Sequence, residues 1–278
     1  VGRISTVILA VLVCLLPARA HAYVCKVSED FTYVSLHWPT RLINYAVATP
    51  GSKTVDGQTV LKAVDGAFAQ WALPDCTDIR FVAGGVVDPA ATEWNKIEFV
   101  QADWPYMPDA VALTQTRYGT EDGIIREATI FVNEDAWRFT DAAVACNDTG
   151  PATYDLQAVL THEAGHLIGL DHTQPENYAK KPSPTMAPDI GVCEMDKRVL
   201  KQDDIDGLCV LYPKGQPSGN CETIPQQSDP YVTNTPLGCT ETGPHGSESA
   251  FWAAMTLLAL ILMGRKRPKT CPRTRDGR

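Results

Sequence analysis

The run His162-Glu163-Ala164-Gly165-His166-Leu167-Ile168-Gly169-Leu170-Asp171-His172 constrains the fold more than any other part of this chain. Histidines four residues apart lie on one face of an α-helix, about 6 Å apart along its axis, so His162 and His166 can present imidazole nitrogens to one metal ion. A helix continued to His172 would carry it about 15 Å from His162, far outside bonds of ~2.0 to 2.1 Å. The helix must therefore end before His172. Gly169 can take the positive φ that ends it and lets the chain turn back to deliver a third imidazole. Three histidine ligands leave a fourth position open to water, the arrangement of a catalytic rather than a structural zinc. Glu163, next to His162, is then the natural general base, and the chemistry such a centre suits is amide hydrolysis.

The rest of residues 25 to 213 reads as one α+β unit. Five short β-rich runs, at 43–47, 79–82, 97–100, 111–114 and 129–132, predict strands. Leu61, Val64, Phe68 and Trp71 recur at helical spacing before Pro74 and predict an amphipathic helix. A second helix spans 154–168, opened by Thr153 or Asp155 and closed by Gly169. A third, around 202–212, ends at Pro213. Strands grouped before the later helices favour an α+β domain.

With these elements in place, HExxHxxGxxH followed by a methionine resembles the metzincin clan of zinc endopeptidases. Ser183-Pro184-Thr185-Met186-Ala187-Pro188 is similar to the Met-turn of its matrixin family, the matrix-metalloproteinase-like group. The resemblance implies a metzincin-like fold: a twisted five-stranded sheet with three helices and a zinc cleft between an upper and a lower subdomain. It implies that Met186 lies beneath the imidazoles without ligating, and that Asp203 and Asp204 brace the Met-turn from behind. It also implies an edge strand at Ala128, Thr129, Ile130, Phe131 and Val132 that pairs with an extended polypeptide substrate. The resemblance leaves several features open. The stretch from His172 to Met186 is longer than usual, so the wall of the specificity pocket cannot be carried over. The histidines of a second, structural zinc are absent before the edge strand, so one catalytic zinc is expected. Calcium near Glu121, Asp122 or Glu127 is a secondary candidate.

The ends read as addresses. Arg3, the apolar run 4–16 and the small residues ending Ala20-His21-Ala22 have the form of a secretory signal peptide, residues 1–22, cleaved after Ala22. The domain follows over 23–213, then a linker at 214–249 rich in Pro, Gly, Ser and Thr. An apolar segment at 250–264 and a basic tail at 265–278 complete the chain. Gly238-Cys239, the apolar stretch and the basic cluster resemble the C-terminal sorting signals of myxobacterial surface proteins, which implies a processing enzyme acting at Cys239. Membrane contact is expected only through that segment. Outside the termini, Cys25, Cys76, Cys146, Cys193, Cys209 and Cys221 form an even set, which predicts up to three disulfides in an exported, extracellular or surface-held chain.

Residues 23–264 carry 15 Lys and Arg against 32 Asp and Glu, a net −17 that repels phosphate backbones and excludes nucleic acid as the expected partner. The sequence thus favours an exported zinc endopeptidase, monomeric, acting on polypeptide. A second reading keeps the fold as a surface binding or adhesion module, and the intact Glu163 argues against it. A non-proteolytic zinc hydrolase is a third.

Overall fold

The computed structural model describes residues 23–28, 33–146, 151–174, 182–219 and 221. The segment 1–22, Lys180 and Lys181, Cys239 and residues 250–278 lie outside the described residues. Among the described residues, nine strands and three α-helices follow in the order β1 (Val24–Cys25), β2 (Leu42–Ala48), α1 (Gly57–Ala72), β3 (Arg80–Val87), β4 (Lys96–Val100), β5 (Ala112–Tyr118) and β6 (Ile125–Asn133), then β7 (Arg138–Thr140), β8 (Thr153–Asp155), α2 (Leu156–Leu167), β9 (Leu170–Asp171) and α3 (Gln202–Leu211). A 3-10 turn at Asp196–Arg198 precedes α3.

Five strands form one mixed sheet in the order β3-β2-β4-β6-β5, so the expected α+β architecture is present. The first four run parallel to one another, and β5 pairs antiparallel to β6 at the edge. α1 connects the parallel neighbours β2 and β3, the crossover that parallel pairing requires. The Asp56 side chain caps α1 by accepting from the Gln58 and Thr59 amides, both at 3.1 Å. Its buried stripe is Val60, Ala63, Val64, Ala67, Phe68 and Trp71, which includes three of the four residues singled out by spacing. The fourth, Leu61, is only partly buried. Burying side chains of this size is worth about 1.5 to 3 kcal/mol each, and α1 directs that stripe against α2 and the sheet.

The strand order corrects one expectation. Ala128 to Val132 lie in β6, which is hydrogen-bonded to β4 on one side and to β5 on the other, so they are interior and not an edge. The edge next to α2 is β5. An interior strand has no free backbone groups to offer a peptide, whereas β5 keeps one side unpaired within the sheet. The burial pattern agrees: Ala128, Ile130 and Val132 are fully buried, while Gln115 on β5 is exposed.

Three disulfides, Cys25–Cys221, Cys76–Cys209 and Cys146–Cys193, use all six of the expected cysteines. The first shows that the domain does not stop at Pro213. Lys214 donates its amide to Cys76 O at 2.8 Å, Gly219 to Leu211 O at 3.0 Å, and the Ser35 hydroxyl to Cys221 O at 2.7 Å. The start of the expected linker is thus held on the domain as far as Cys221. Among the described residues no helix is long and apolar enough to cross a membrane.

Candidate metal centre

Asp155 opens α2 by accepting the Ala158 amide at 2.8 Å, and its carboxylate is gripped by Arg198 through Nε at 2.7 Å and a terminal nitrogen at 2.5 Å. Trp71 Nε1 donates to Thr161 O at 2.9 Å and ties α1 to the turn that carries His162. At the other end the chain turns at Gly169, whose φ is +100°. A Cβ there would stand 2.1 Å from Leu36 O, so glycine is required on both counts. The carbonyls freed by the break are satisfied: Trp38 Nε1 donates to Leu167 O at 2.9 Å, and the Tyr212 hydroxyl to Ile168 O at 2.6 Å. The chain then returns through the short β9, paired with β1, and places His172 beside the helix.

The three imidazoles converge. Nε2 of His162 lies 3.1 Å from Nε2 of His166 and 3.2 Å from that of His172, and the His166–His172 separation is 3.2 Å. Nδ1 of His162 faces Thr185 O at 2.7 Å and Nδ1 of His166 faces Leu170 O at 2.9 Å. A ring nitrogen facing a carbonyl must be the N–H, so both Nε2 atoms are bare lone pairs aimed at one point. Bare lone pairs at this spacing repel unless a cation sits between them. A tetrahedral zinc with bonds of ~2.0 to 2.1 Å keeps its ligand atoms about 3.3 Å apart, close to the observed triangle. Burial holds the His162 and His166 imidazoles well below their usual pKa; Lys197 adds to this at His162 and His172 at His166. Both are thus kept in the neutral form that binds metal. This trio is the one cluster of metal-binding side chains found among the described residues.

Glu163 points to the sheet edge. Its carboxylate accepts the Thr114 hydroxyl of β5 at 2.6 Å, and the same hydroxyl lies 3.1 Å from Glu163 O. Burial pushes the Glu163 carboxyl up to about 7, and the Thr114 hydrogen bond opposes the rise.

Met186 packs against the helix below the histidines. A Cβ on Gly165, the residue before His166, would meet its sulfur at 2.3 Å and Trp71 Cζ2 at 2.7 Å, so glycine there lets both side chains pack close to the helix. Asp204 holds this turn: its carboxylate accepts the amides of Thr185 at 2.8 Å, Met186 at 2.9 Å and Lys201 at 2.7 Å. Asp203 also reaches the segment of the third histidine. It accepts the hydroxyl of Thr173, the residue after His172, at 2.5 Å, while Thr173 N donates to Met186 O at 3.0 Å. The pair therefore braces the Met-turn through Asp204 and the third histidine's segment through Asp203.

Of the acids named for calcium, Asp122 is paired with Arg126 at 3.2 Å and Glu127 with Arg117 at 2.9 Å, so these two are neutralised by arginine. Thr114, Gly165, Trp38, Tyr212 and Lys197 escaped the sequence reading. Only Gly165 carried a hint, lying inside the motif.

The matrixin family model matches residues 37–213, well over half of the chain. The chain belongs to the matrixin family. A matrixin from Caenorhabditis elegans, matrix metalloproteinase-C, is 25% identical over 182 residues, covering 64% of this chain and 29% of that protein. Human matrix metalloproteinase-25 is 29% identical over 183 residues, 64% of this chain and 30% of that one. Metalloendoproteinase 1-MMP of Arabidopsis thaliana is 25% identical over 228 residues, 75% of this chain and 56% of that one. This matrixin thus spans from under a third to just over half of the length of these relatives.

Proposed function

We propose that this matrixin is a zinc-dependent endopeptidase that hydrolyses extended polypeptide, with His162, His166 and His172 holding the ion and Glu163 as general base. The observation that carries the reading is the triangle of Nε2 atoms, 3.1 to 3.2 Å on a side, with Glu163 adjacent and turned to a sheet edge. Zinc bound there supplies a Lewis acid that polarises the scissile carbonyl and makes water more acidic.

The protein's own residues do the rest. β5 takes the place that β6 was expected to fill: an extended peptide adds to its open side, which runs past Thr114 and so past Glu163. Glu163 accepts the proton of the attacking water and passes it to the leaving amine. Its burial and raised pKa suit a carboxylate that must take up and then release a proton near neutral pH. Thr114 orients the carboxylate. Thr185 and Leu170 fix the tautomers of His162 and His166, as the outer partners of metal-bound histidines do.

Three disulfides fit an oxidising compartment, which supports export by the signal segment; display through the C-terminal stretch, with processing at Cys239, rests on the resemblance of that stretch to sorting signals. The adhesion-module reading has no structural feature of its own. The test is digestion of a peptide library by the zinc-loaded full chain, with and without chelator, beside its Glu163→Gln variant. The reading predicts chelator-sensitive cleavage that falls about 10²- to 10⁴-fold in the variant, with zinc content unchanged. Equal cleavage by both would exclude the mechanism. Absence of any cleavage by the zinc-loaded chain would return the adhesion reading.

A further inference from the structure

Leu170 serves two partners at once: its carbonyl faces Nδ1 of His166 at 2.9 Å, and its backbone pairs with Cys25 of β1. It belongs to β9, a strand of two residues set between Gly169 and His172. A strand that short does not hold its own place, so the return that delivers His172 depends on what β1 offers. β1 supplies two residue pairs, Val24 with Asp171 and Cys25 with Leu170, and the Lys26 amide adds a bond to Gly169 O at 2.8 Å. β1 is itself only two residues long and is held in turn. Leu36 N donates to Lys26 O at 2.7 Å and Ser28 N to Val34 O at 2.9 Å. The Cys25–Cys221 bridge then ties it to the segment after α3. That segment is fixed by the Gly219 amide on Leu211 O and by the Ser35 hydroxyl on Cys221 O.

Cys25 and Cys221 both fall outside residues 37–213, so the bridge lies beyond the stretch that carries the family likeness. Both cysteines are buried. We propose that the Cys25–Cys221 bridge is a positioning device for the metal centre, which acts through β1 and β9 to set how tightly His166 and His172 retain zinc. The inference rests on the zinc reading above. Without the bridge β1 loses its covalent hold and β9 its fixed partner. Leu170 O then no longer fixes the His166 ring, and His172 samples many positions in place of one, so ligand binding must supply the ordering that the bridge supplied beforehand. The Cys76–Cys209 bridge is an internal comparison: it joins the loop after α1 to α3 and contains no residue of the His172 return. The two bridges span 196 and 133 residues, long loops whose opening costs similar chain entropy.

The test measures zinc affinity of the full chain by competition with a chelating dye, at a temperature where circular dichroism shows each protein folded. Wild type is compared with a Cys25→Ala, Cys221→Ala variant and a Cys76→Ala, Cys209→Ala variant. With every chain folded, affinity no longer reports global stability. The first variant is expected to bind zinc about 10- to 100-fold more weakly, as when an outer support of a metal ligand is lost. The second is expected to melt at lower temperature with its zinc affinity unchanged. Wild-type affinity in the first variant would overturn the proposal, and so would an equal loss in both, the mark of merely structural bridges. Should the first variant not fold, the wild type carries the test through stepwise reduction by a phosphine, alkylation of the freed thiols and zinc analysis of each species. Zinc is expected to leave when Cys25–Cys221 opens and to stay when Cys76–Cys209 opens; zinc kept after the first opening overturns the proposal. A wild type that binds no zinc removes the metal-centre reading and this inference with it, an outcome distinct from equal affinities.

Discussion

The hydroxyl of Thr114, on the edge strand, donates to the carboxylate of Glu163, beside the first histidine, at 2.6 Å. One hydrogen bond thereby links the surface on which a peptide would lie to the group that would take the water's proton. It also favours the charged form of a carboxyl that burial otherwise pushes up to about 7. Removing it with Thr114→Val should raise the Glu163 pKa, so that the base is protonated at a pH where it was free before. The acid limb of the pH–rate profile then moves to higher pH, and kcat/KM at neutral pH falls by about tenfold. Thr114→Ser should restore the limb. An unmoved limb in the valine variant would separate Thr114 from the base.

Gly169→Ala tests the break that returns His172. The residue must accept a φ of +100° and place a Cβ 2.1 Å from Leu36 O. The expected loss is well over ~1 kcal/mol of stability, with zinc affinity weaker by about 10- to 100-fold, comparable to removing a supporting partner of a metal ligand. Competition with a fluorescent chelator measures the affinity, and wild-type binding would show that the turn tolerates a side chain.

Asp204→Ala leaves three backbone amides without their acceptor, two of them in the Met-turn. Unsatisfied buried donors cost about 1 to 3 kcal/mol each, so urea unfolding of the zinc-loaded chain should show a loss of about 3 kcal/mol or more. Asp203→Ala should disturb zinc binding more than the Met-turn, because its carboxylate grips Thr173, next to His172.

Acid should weaken the metal-free fold. His162 and His166 bind protons in the folded chain only well below the usual imidazole value, chiefly because they are buried. Their unfolded counterparts take up protons near ~6.5. Below that pH the unfolded state therefore holds more protons, and stability, fully present above it, is lost as pH falls toward the folded values. The melting temperature of the chelated chain should drop steadily below about pH 6.5. A double variant, His162→Ala with His166→Ala, should flatten that slope; a slope unchanged by the double variant would assign the acid sensitivity elsewhere.

The convergence of the three histidines was legible because its geometry is local. Four-residue spacing, a glycine and a third histidine dictate a helix, a break and a return without knowledge of the rest of the fold. The sheet order was not legible in the same way. Period-two alternation in residues 125–133 reports which face is buried and says nothing about neighbours, and the apolar Ala128, Ile130 and Val132 pointed, if anywhere, to an interior strand. The polar run Thr114-Gln115-Thr116-Arg117 was the better edge signal, since an edge carries polar and charged residues. Two-residue strands such as β1 and β9 leave no periodic trace, because they exist through pairing and the Cys25–Cys221 bridge. Nothing in the sequence marks Lys197 as buried, and the packing of its turn on α2 buries it.

A zinc enzyme of this design requires that three imidazoles share one ion beside Glu163. X-ray absorption at the zinc edge of the full chain, compared with its His172→Ala variant, tests it directly. Three nitrogen neighbours at ~2.0 to 2.1 Å with one further light atom are expected, and loss of one nitrogen in the variant. A sulfur neighbour, or a shell indifferent to the loss of His172, would contradict it.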